Sequence, residues 1–222
     1  MSENLINLFF LSIAFSVLFV IAELVYHIGK VNAETTRKFV HVGTGLLTIS
    51  FPLLFTHYIW VVLICSAFLA VLFLSLKFGL LPSINAIPRK SYGTLCYPII
   101  VSLAFIFYYF KKTNLTHDHF FFLIPILTMA LADPIAALCG RNFPIGKYKV
   151  GEGQKTLVGS FSFFTVAWSV TALLLPHPNL FFLVLIPLVA TLAEACSSKG
   201  LDNFTIPIAV MIVLAFYNYP YV

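Results

Sequence analysis

Residues 5–28 read LINLFFLSIAFSVLFVIAELVYHI, a stretch with one acidic residue and no lysine or arginine. The hydrocarbon core of a bilayer is about 30 Å thick, and a helix needs about 20 apolar residues to cross it. The stretch is long enough and apolar enough to predict a transmembrane helix. No basic residue precedes it and no clear small-residue cleavage site follows it, so we expect a retained span rather than a signal peptide.

The rest of the chain has the same character. Of its 222 residues, 60% are hydrophobic and 9% are charged, and the mean hydropathy is +0.99. A soluble domain carries roughly 25% charged residues, so this chain could not cover a surface that faces water. No stretch is typical of a separate soluble domain. We therefore expect one integral membrane domain, residues 1–222, with no nucleic-acid partner.

Apolar runs recur between charged or Pro/Gly breaks along the chain. They predict an all-α fold, a polytopic transmembrane helix bundle of about eight spans. The predicted spans are 5–28, 39–55, 58–76, 93–110, 120–139, 157–175, 180–198 and 204–220. Seven spans is the main alternative, because the second run is short and the break from Phe51-Pro52 to His57 could be a re-entrant turn.

The basic residues test this count and give an orientation. Lysine and arginine concentrate in loops on the cytoplasmic side of membrane proteins. With eight spans and the N-terminus outside, every one of the 13 Lys and Arg residues except Lys111 and Lys112 falls on that side. A wrong count would usually scramble this alternation, so the pattern favours eight spans and two termini that face away from the cytosol.

Three of the eight acidic residues lie within apolar runs: Glu23, Asp133 and Glu194. A carboxylate near the bilayer centre costs at least about 2.5 kcal/mol, so such residues are candidates for function. For Glu23, about one turn from the end of its span, a structural pairing and a functional role are both open. Asp133 lies deeper, and Glu194 stands in a run of small residues whose packing does not require a carboxylate.

The longest cytoplasmic loop, residues 140–156, reads GRNFPIGKYKVGEGQKT and is followed by Gly159-Ser160. Glycines let backbone N–H groups approach an anion, and lysine and arginine supply its counter-charge. The composition suits a polyphosphate, although the spacing of Gly140 and Gly146 and the presence of Tyr148 exclude a P-loop. Lys155 and Thr156 open the sixth span, where a helix N-terminus could also bind a phosphate.

Two further basic clusters lie on the predicted cytoplasmic face, at residues 37–41 and 89–90. Arg37 and His41 are spaced i, i+4 and share one helix face, flanked by Lys38. Either cluster by itself could also be an anchor that binds anionic lipid headgroups. Such an anchor does not require a histidine within the helix, so it does not explain His41. The pair Asp202-Asn203 is typical of a turn, and its oxygens also suit Mg²⁺.

Taken together, these segments resemble the polyprenol kinase family, which includes dolichol kinase, phytol kinase and CTP-dependent diacylglycerol kinase and is related to CDP-diacylglycerol synthase. The resemblance rests on short motifs that follow the family's order over most of the chain. They are Arg37–His41, Tyr92–Thr94, Ala132–Ala136, Gly140-Arg141, Gly146-Lys147, Lys155-Thr156, Gly159-Ser160, Glu194 and Asp202–Pro207. The chain departs from the family at Phe143–Gly146, where the loop is longer, and at Val158, where an acidic residue is frequent.

The resemblance implies phosphoryl transfer from CTP to the hydroxyl of a membrane isoprenoid alcohol (phytol, polyprenol or dolichol) or of diacylglycerol, with Mg²⁺ as cofactor. The implied catalytic residues are Asp133, His41, Lys155 and Glu194. The implied nucleotide and phosphate ligands are Arg37, Lys38, Arg89, Lys90, Gly140, Arg141, Gly146, Lys147, Lys155, Thr156, Gly159 and Ser160. The implied metal ligands are Asp133, Asp202, Asn203 and Glu194. The general base is either a carboxylate or His41, and the oligomeric state is open.

Two other functions are compatible with parts of this pattern. A phosphatidate cytidylyltransferase of the CDP-diacylglycerol synthase type would also use CTP but would release pyrophosphate. A small transporter would use intramembrane carboxylates as ion sites, although such sites usually lie near the midplane between repeated halves. We expect a bacterial cytoplasmic membrane with the active site on its cytosolic face, where CTP is available.

Overall fold

A computed structural model describes residues 2–87, 91–112, 118–151, 153–177 and 179–217. Helices make up most of the residues that the structure describes. In order they are α1 (Ser2–His27), α2 (Ala33–Thr48), α3 (Phe51–Leu54), α4 (Tyr58–Phe78), α5 (Pro82–Asn85), α6 (Gly93–Lys111), α7 (Phe120–Leu127), a π-helical turn (Thr128–Ala132), α8 (Asp133–Asn142), α9 (Leu157–Leu174), α10 (Leu180–Cys196) and α11 (Asp202–Ala215). The strands β1 (Lys147–Val150) and β2 (Gly153–Thr156) separate α8 from α9. The predicted all-α membrane helix bundle is confirmed.

The number of membrane spans stays a prediction. Within the described residues, five helical stretches are long and apolar enough to cross a membrane: Glu3–His27, Tyr58–Phe78, Gly93–Lys111, Phe120–Asn142 and Leu157–Leu174. Helices α10 and α11 are apolar but shorter. At 1.5 Å per residue, α11 with its 14 residues is only about 21 Å long. All eight predicted runs are helical over much of their length, but this does not establish that each one crosses the bilayer.

The second predicted span, 39–55, differs most from the observed helices. Helix α2 begins six residues earlier, because the Asn32 side chain caps it by accepting a hydrogen bond from the Thr35 N–H at 2.9 Å. It ends at Thr48, and the separate short helix α3 follows with Pro52 in its first turn. The break predicted from Phe51-Pro52 to His57 is thus occupied in part by α3, and the chain is non-helical on both sides of this helix, at residues 49–50 and 55–57.

The Gly-rich loop folds into a β-hairpin that the sequence did not predict. Its strands are antiparallel and pair Lys147 with Thr156 and Tyr148 with Lys155. The Tyr148 hydroxyl lies 2.6 Å from Ser160 Oγ and ties the hairpin to α9. Thr156 then caps α9, since its hydroxyl accepts a hydrogen bond from the Gly159 N–H at 3.0 Å. The hairpin therefore holds its lysines at a fixed position beside the helix N-terminus.

Glu23 has structural partners in this fold. One carboxylate oxygen lies 3.2 Å from His27 Nε2, and the other accepts a hydrogen bond from the Ser83 N–H at 3.1 Å. These contacts join α1 to the start of α5. They account for a carboxylate in an apolar helix, so the structural interpretation of Glu23 is the one that the contacts favour.

Gly45 allows α2 to lie against the π-helical turn. A Cβ atom added at Gly45 would lie 2.3 Å from Ala130 Cβ and 3.0 Å from the Tyr97 hydroxyl. Small residues permit this close approach of two helices. The contact sets how far α2, with His41 one turn before Gly45, stands from the helix that carries Asp133.

We therefore expect the Gly45→Ala substitution to destabilise the protein, because Ala130 and Tyr97 leave no room for a methyl group. Overpacking of this kind typically costs about 1–3 kcal/mol. Thermal unfolding in detergent should show a lower midpoint. Gly153→Ala is the matched control, because a Cβ atom added at Gly153 would lie 3.4 Å from the Val150 carbonyl oxygen, an ordinary van der Waals contact. Equal midpoints for both variants would contradict the proposed packing.

Candidate active site

A cavity of about 500 Å³ lies among the helices α1, α2, α3, α4, α5, α6, α8, α9 and α10, the hairpin and the start of α11. One end is lined by charged and polar side chains from α2, α8, the hairpin, α10 and α11. The other end is lined mainly by apolar side chains from α1, α2, α3, α4, α5 and α6. A charged chamber and an apolar chamber are therefore joined in one cavity.

Helix α2 lines the cavity along its length. Its lining side chains recur at helical spacing and change from charged to weakly polar: Glu34, Arg37, Lys38, His41, Thr44 and Thr48. At 1.5 Å per residue, the first and last of these are about 21 Å apart along the helix axis. His41 lies between the charged and the apolar end.

Arg37 marks the charged end. Its guanidinium group donates to Glu34 Oε1 at 3.2 Å and to Ser91 Oγ at 3.2 Å. Its Nε atom is buried without a hydrogen-bond partner among the described residues. An unsatisfied buried donor is costly, so this end of the cavity has unused capacity to bind an anion.

Asp133 begins α8, directly after the π-helical turn, and its side chain lines the cavity. Among the described residues, none forms a hydrogen bond or an ion pair with its carboxylate. Asp202, Glu194, Lys155 and Lys38 are near enough to act on it electrostatically. Asp133 thus lies within the candidate membrane-spanning stretch Phe120–Asn142, and no side chain in the described part of the chain occupies its carboxylate oxygens.

Lys155 and Glu194 form an ion pair beside Asp133. Lys155 Nζ lies 2.5 Å from Glu194 Oε1 and also donates to the Glu194 backbone carbonyl. The two side chains are only 18% and 8% exposed, so solvent screens the pair weakly. Glu194 Oε2 is buried and has no hydrogen-bond partner within the described part of the chain. The pair holds the hairpin against α10.

His41 lies against the π-helical turn. Its Nε2 atom is 3.2 Å from the Met129 carbonyl oxygen, and its backbone carbonyl accepts a hydrogen bond from the Tyr97 hydroxyl at 3.2 Å. A carbonyl oxygen can only accept, so the hydrogen bond places a proton on Nε2. In the neutral imidazole, Nδ1 then carries the lone pair.

The start of α11 packs against the start of α6. The Asn203 side-chain amide donates to the Gly93 carbonyl at 3.0 Å, and the Tyr92 N–H donates to the Lys199 carbonyl at 2.9 Å. Asp202 Oδ1 accepts from the Asn203 N–H at 3.0 Å. Asn203 therefore has a clear structural role, and Asp202 is held at the cavity wall by the same junction.

The fit of these residues to Mg²⁺ is partial. Within the described ranges, no three His, Cys, Asp or Glu side chains are grouped as a complete metal site. Mg²⁺ usually binds one or two carboxylates and completes its coordination with water and substrate phosphates. Asp133, which is unpaired, and Asp202 at the same cavity suit that mode. Glu194 is less suited, because Lys155 already occupies one of its oxygens.

The cavity brings together most of the predicted site residues. Of those that the structure describes, all except Gly146 line it, whereas Arg89 and Lys90 lie outside the described residues. Gly146 instead forms a turn with a φ of +67°, and its carbonyl accepts a hydrogen bond from the Leu157 N–H at 3.0 Å. The chemical roles of the lining residues remain predictions.

Two of the predicted phosphate ligands also have a packing role. A Cβ atom on Gly140 would lie 2.6 Å from Thr156 Oγ1, and one on Gly159 would lie 3.0 Å from the Ala136 carbonyl oxygen. These glycines let α8 cross α9 at short distance. Helix packing thus accounts for both glycines, and the predicted phosphate binding is not needed to explain them.

Several polar residues that line the cavity were not predicted from the sequence. The most informative are Glu34, Thr44, Tyr97 and Gln154. Helical spacing from His41 would have identified Thr44, and the i, i+3 relation to Arg37 would have identified Glu34. Tyr97 and Gln154 had no such signal, because their positions depend on the packing of α6 and on the hairpin.

Comparison with known proteins gives the family. No family model and no solved structure matches the chain significantly. The chain is 30% identical over 200 residues to a phytol kinase from Synechocystis sp., a match that covers 86% of this chain and 83% of the relative. This match does not test the predicted relation to CDP-diacylglycerol synthase. Similarity over nearly the full length of both proteins shows that this helix bundle belongs to the polyprenol kinase family, the family of phytol kinase.

Proposed function

We propose that the protein is a CTP-dependent kinase that phosphorylates the hydroxyl group of a membrane lipid alcohol. The observation that carries this proposal is a cavity that joins a charged end to an apolar end. His41 lies in its lining, as does Asp133, whose carboxylate has no ion-pair partner in the described ranges. Such a cavity suits a reaction between a polar phosphate donor and an amphiphilic acceptor. Family membership supports a lipid alcohol as the acceptor, and an isoprenoid alcohol such as phytol is the first candidate.

The charged end would bind the triphosphate of CTP. Phosphoryl transfer depends on neutralising and aligning phosphate charge more than on covalent chemistry. Arg37, Arg141, Lys147 and Lys155 all line this end. Arg37 Nε is a buried donor that has no hydrogen-bond partner among the described residues. Lys155 would exchange part of its contact with Glu194 for a phosphate oxygen. In the predicted orientation this end faces the cytosol of a bacterium, where CTP is available.

The carboxylates would hold the cofactor. When bound, Mg²⁺ supplies positive charge that offsets the charge of the phosphates. Asp133 and Asp202 would be its protein ligands, with the other positions left to water and phosphate. Glu194 would keep Lys155 in place, and Asn203 would keep Asp202 at the cavity wall through its hydrogen bond to Gly93.

The lipid hydroxyl would lie beside His41, between the two ends of the cavity. Its oxygen forms a bond to the terminal phosphorus of CTP as the bond from that phosphorus to the bridging oxygen breaks, and CDP leaves. The hydroxyl proton passes to His41 Nδ1, the nitrogen left with a lone pair by the contact between Nε2 and Met129. Asp133 is the alternative proton acceptor.

The two other candidate functions predict different products. A cytidylyltransferase would join the cytidylyl group to phosphatidic acid and release pyrophosphate. A transporter would consume no nucleotide. The match to phytol kinase favours the kinase over both, and the identity of the leaving group separates the two enzymes.

The function can be tested with purified protein in detergent or nanodiscs. With Mg²⁺ and CTP labelled at the terminal phosphate, we expect label to appear in the extracted lipid for phytol, a polyprenol or diacylglycerol, with stoichiometric CDP. EDTA should stop the reaction. Release of pyrophosphate with phosphatidic acid would identify the cytidylyltransferase instead. Folded protein that labels none of these lipids would exclude the proposed kinase.

Asp133→Asn and Lys155→Ala should each lower kcat at least about 100-fold, since each removes a group that stabilises charge at the transferred phosphate. Asp133→Asn should keep the wild-type thermal midpoint, whereas Lys155→Ala should unfold at a lower temperature because it leaves Glu194 without its ion-pair partner. The activity of Lys155→Ala is therefore measured well below its own midpoint. The matched controls are Glu23→Gln, a carboxylate with structural partners, and Lys149→Ala, a hairpin lysine outside the cavity lining. Both controls should retain activity. Full activity in Asp133→Asn and Lys155→Ala would show that the site is placed wrongly.

His41→Ala should lower kcat by about 10²–10⁴-fold with little change in the KM for CTP, because a proton acceptor acts in the transition state. Added imidazole should restore part of the rate. His27→Ala is the control, since His27 contacts Glu23 away from this cavity. If His41→Ala keeps the wild-type kcat, or if imidazole restores nothing, Asp133 is the better candidate for the base.

A further inference from the structure

We propose that the apolar end of the cavity is a closed pocket for the hydrocarbon tail of the substrate, and that Phe51 forms its floor and limits the length of tail accepted. The inference rests on the proposed function and deepens it, because it names the feature of the alcohol that the protein selects. Nothing in the chain's similarity to phytol kinase assigns a role to Phe51.

The walls of this pocket belong to the protein interior. Thr48 from α2, Cys65 from α4 and Phe15 from α1 line it together with Phe51. These four side chains are buried, and Phe51 is only 1% exposed. The apolar end therefore penetrates the helix bundle, where a hydrocarbon tail is surrounded by side chains instead of lipid. Tail length matters in such a pocket because a longer tail meets a wall.

Phe51 is held firmly at the end of the pocket. Its ring packs edge-to-face against Phe15 at 6.2 Å between centroids, and against Phe55 at 5.7 Å. On another side it stacks on the ring of Phe122 at 6.3 Å. Contacts on several sides leave the ring no easy alternative rotamer in a closely packed core. The floor is thus a fixed surface and not a flap that a longer tail could displace.

The dimensions favour an alcohol of a few isoprene units. His41 and Thr48 are about 10 Å apart along α2, at 1.5 Å per residue, and α3 with Phe51 follows directly. The whole cavity, including its charged end, is about 500 Å³. Pockets of roughly 300–1,000 Å³ enclose one small molecule. A hydroxyl beside His41 would thus leave space for a short isoprenoid tail, whereas a long polyprenol would meet Phe51.

The test is the chain-length preference of the kinase reaction, measured as kcat/KM for geraniol, farnesol, geranylgeraniol and a longer polyprenol. Phe51→Ala, or the milder Phe51→Leu, should shift the ratio of longer to shorter alcohols upward by about tenfold or more, the scale of a gained or lost methylene contact. Thr48→Leu adds bulk to the pocket and should shift the ratio the other way. Opposite shifts from enlarging and filling one pocket are not expected from general destabilisation.

Phe163→Ala is the matched control, because Phe163 is also fully buried but does not line the cavity. It should lower the thermal midpoint and leave the length preference unchanged. The inference is overturned if Phe51→Leu and Thr48→Leu both keep the wild-type preference, or if Phe163→Ala shifts it equally.

A second measurement separates this inference from the proposed function. The same alcohols, added without nucleotide, should raise the thermal midpoint of the wild-type protein up to a limiting chain length. Thr48→Leu should lower that limit and Phe51→Ala should raise it. If no alcohol is phosphorylated but these shifts occur, the kinase assignment fails and the tail pocket stands. If phosphorylation occurs but neither the phosphorylation rates nor the shifts in thermal midpoint depend on Phe51 and Thr48, the tail pocket is excluded and the kinase assignment stands.

Discussion

The ion pair between Lys155 and Glu194 connects the parts of the molecule that build the charged end of the cavity. Lys155 belongs to β2 and directly precedes the cap of α9, while Glu194 lies near the end of α10. Removing one partner of a buried pair leaves an uncompensated charge, which is strongly unfavourable. The pair thus constrains the hairpin, α9 and α10 together, and Asp133 on α8 lies within range of both charges.

Close helix contacts complete this arrangement. Gly45 brings α2 to the π-helical turn, and Gly140 and Gly159 bring α8 to α9. Each contact involves a glycine on a helix that also carries a polar residue of the cavity. Because lipid supplies no hydrophobic force between helices, small residues and polar contacts are what hold such a bundle together. The same short segments therefore pack the helices closely and place the charged side chains at the cavity.

The sequence was sufficient to predict the helical membrane fold and most of the charged residues that line the cavity. Asp133, Glu194 and His41 could be identified because polar groups are rare in apolar helices, and their assignment to one face followed from the distribution of lysine and arginine. The hairpin could not be predicted, since each strand has only four residues and three of the eight are lysines. The pairing of the strands also depends on contacts with α9.

The sequence also could not show which side chains contact each other. Nothing in the spacing of Lys155 and Glu194 indicates that they form an ion pair, because 39 residues separate them. The contact between Asn203 and Gly93 joins residues 110 positions apart. Likewise, the early start of α2 depended on a single cap at Asn32, which hydropathy does not register. The two long-range contacts arise from tertiary packing, which a single sequence does not give, whereas the Asn32 cap is a local signal that hydropathy overlooks.

The arrangement of lining residues along one face of α2 has a consequence for how the chain can vary. A helix turns by about 100° per residue, and Gly45 fixes the rotation of α2 against Ala130. Inserting or deleting one residue between Arg37 and Thr48 would turn part of the lining face away from the cavity while leaving composition and hydropathy almost unchanged. The spacing within this segment is therefore as restrictive as the identity of any residue in it, and relatives that share the cavity should differ here by substitution and not by length.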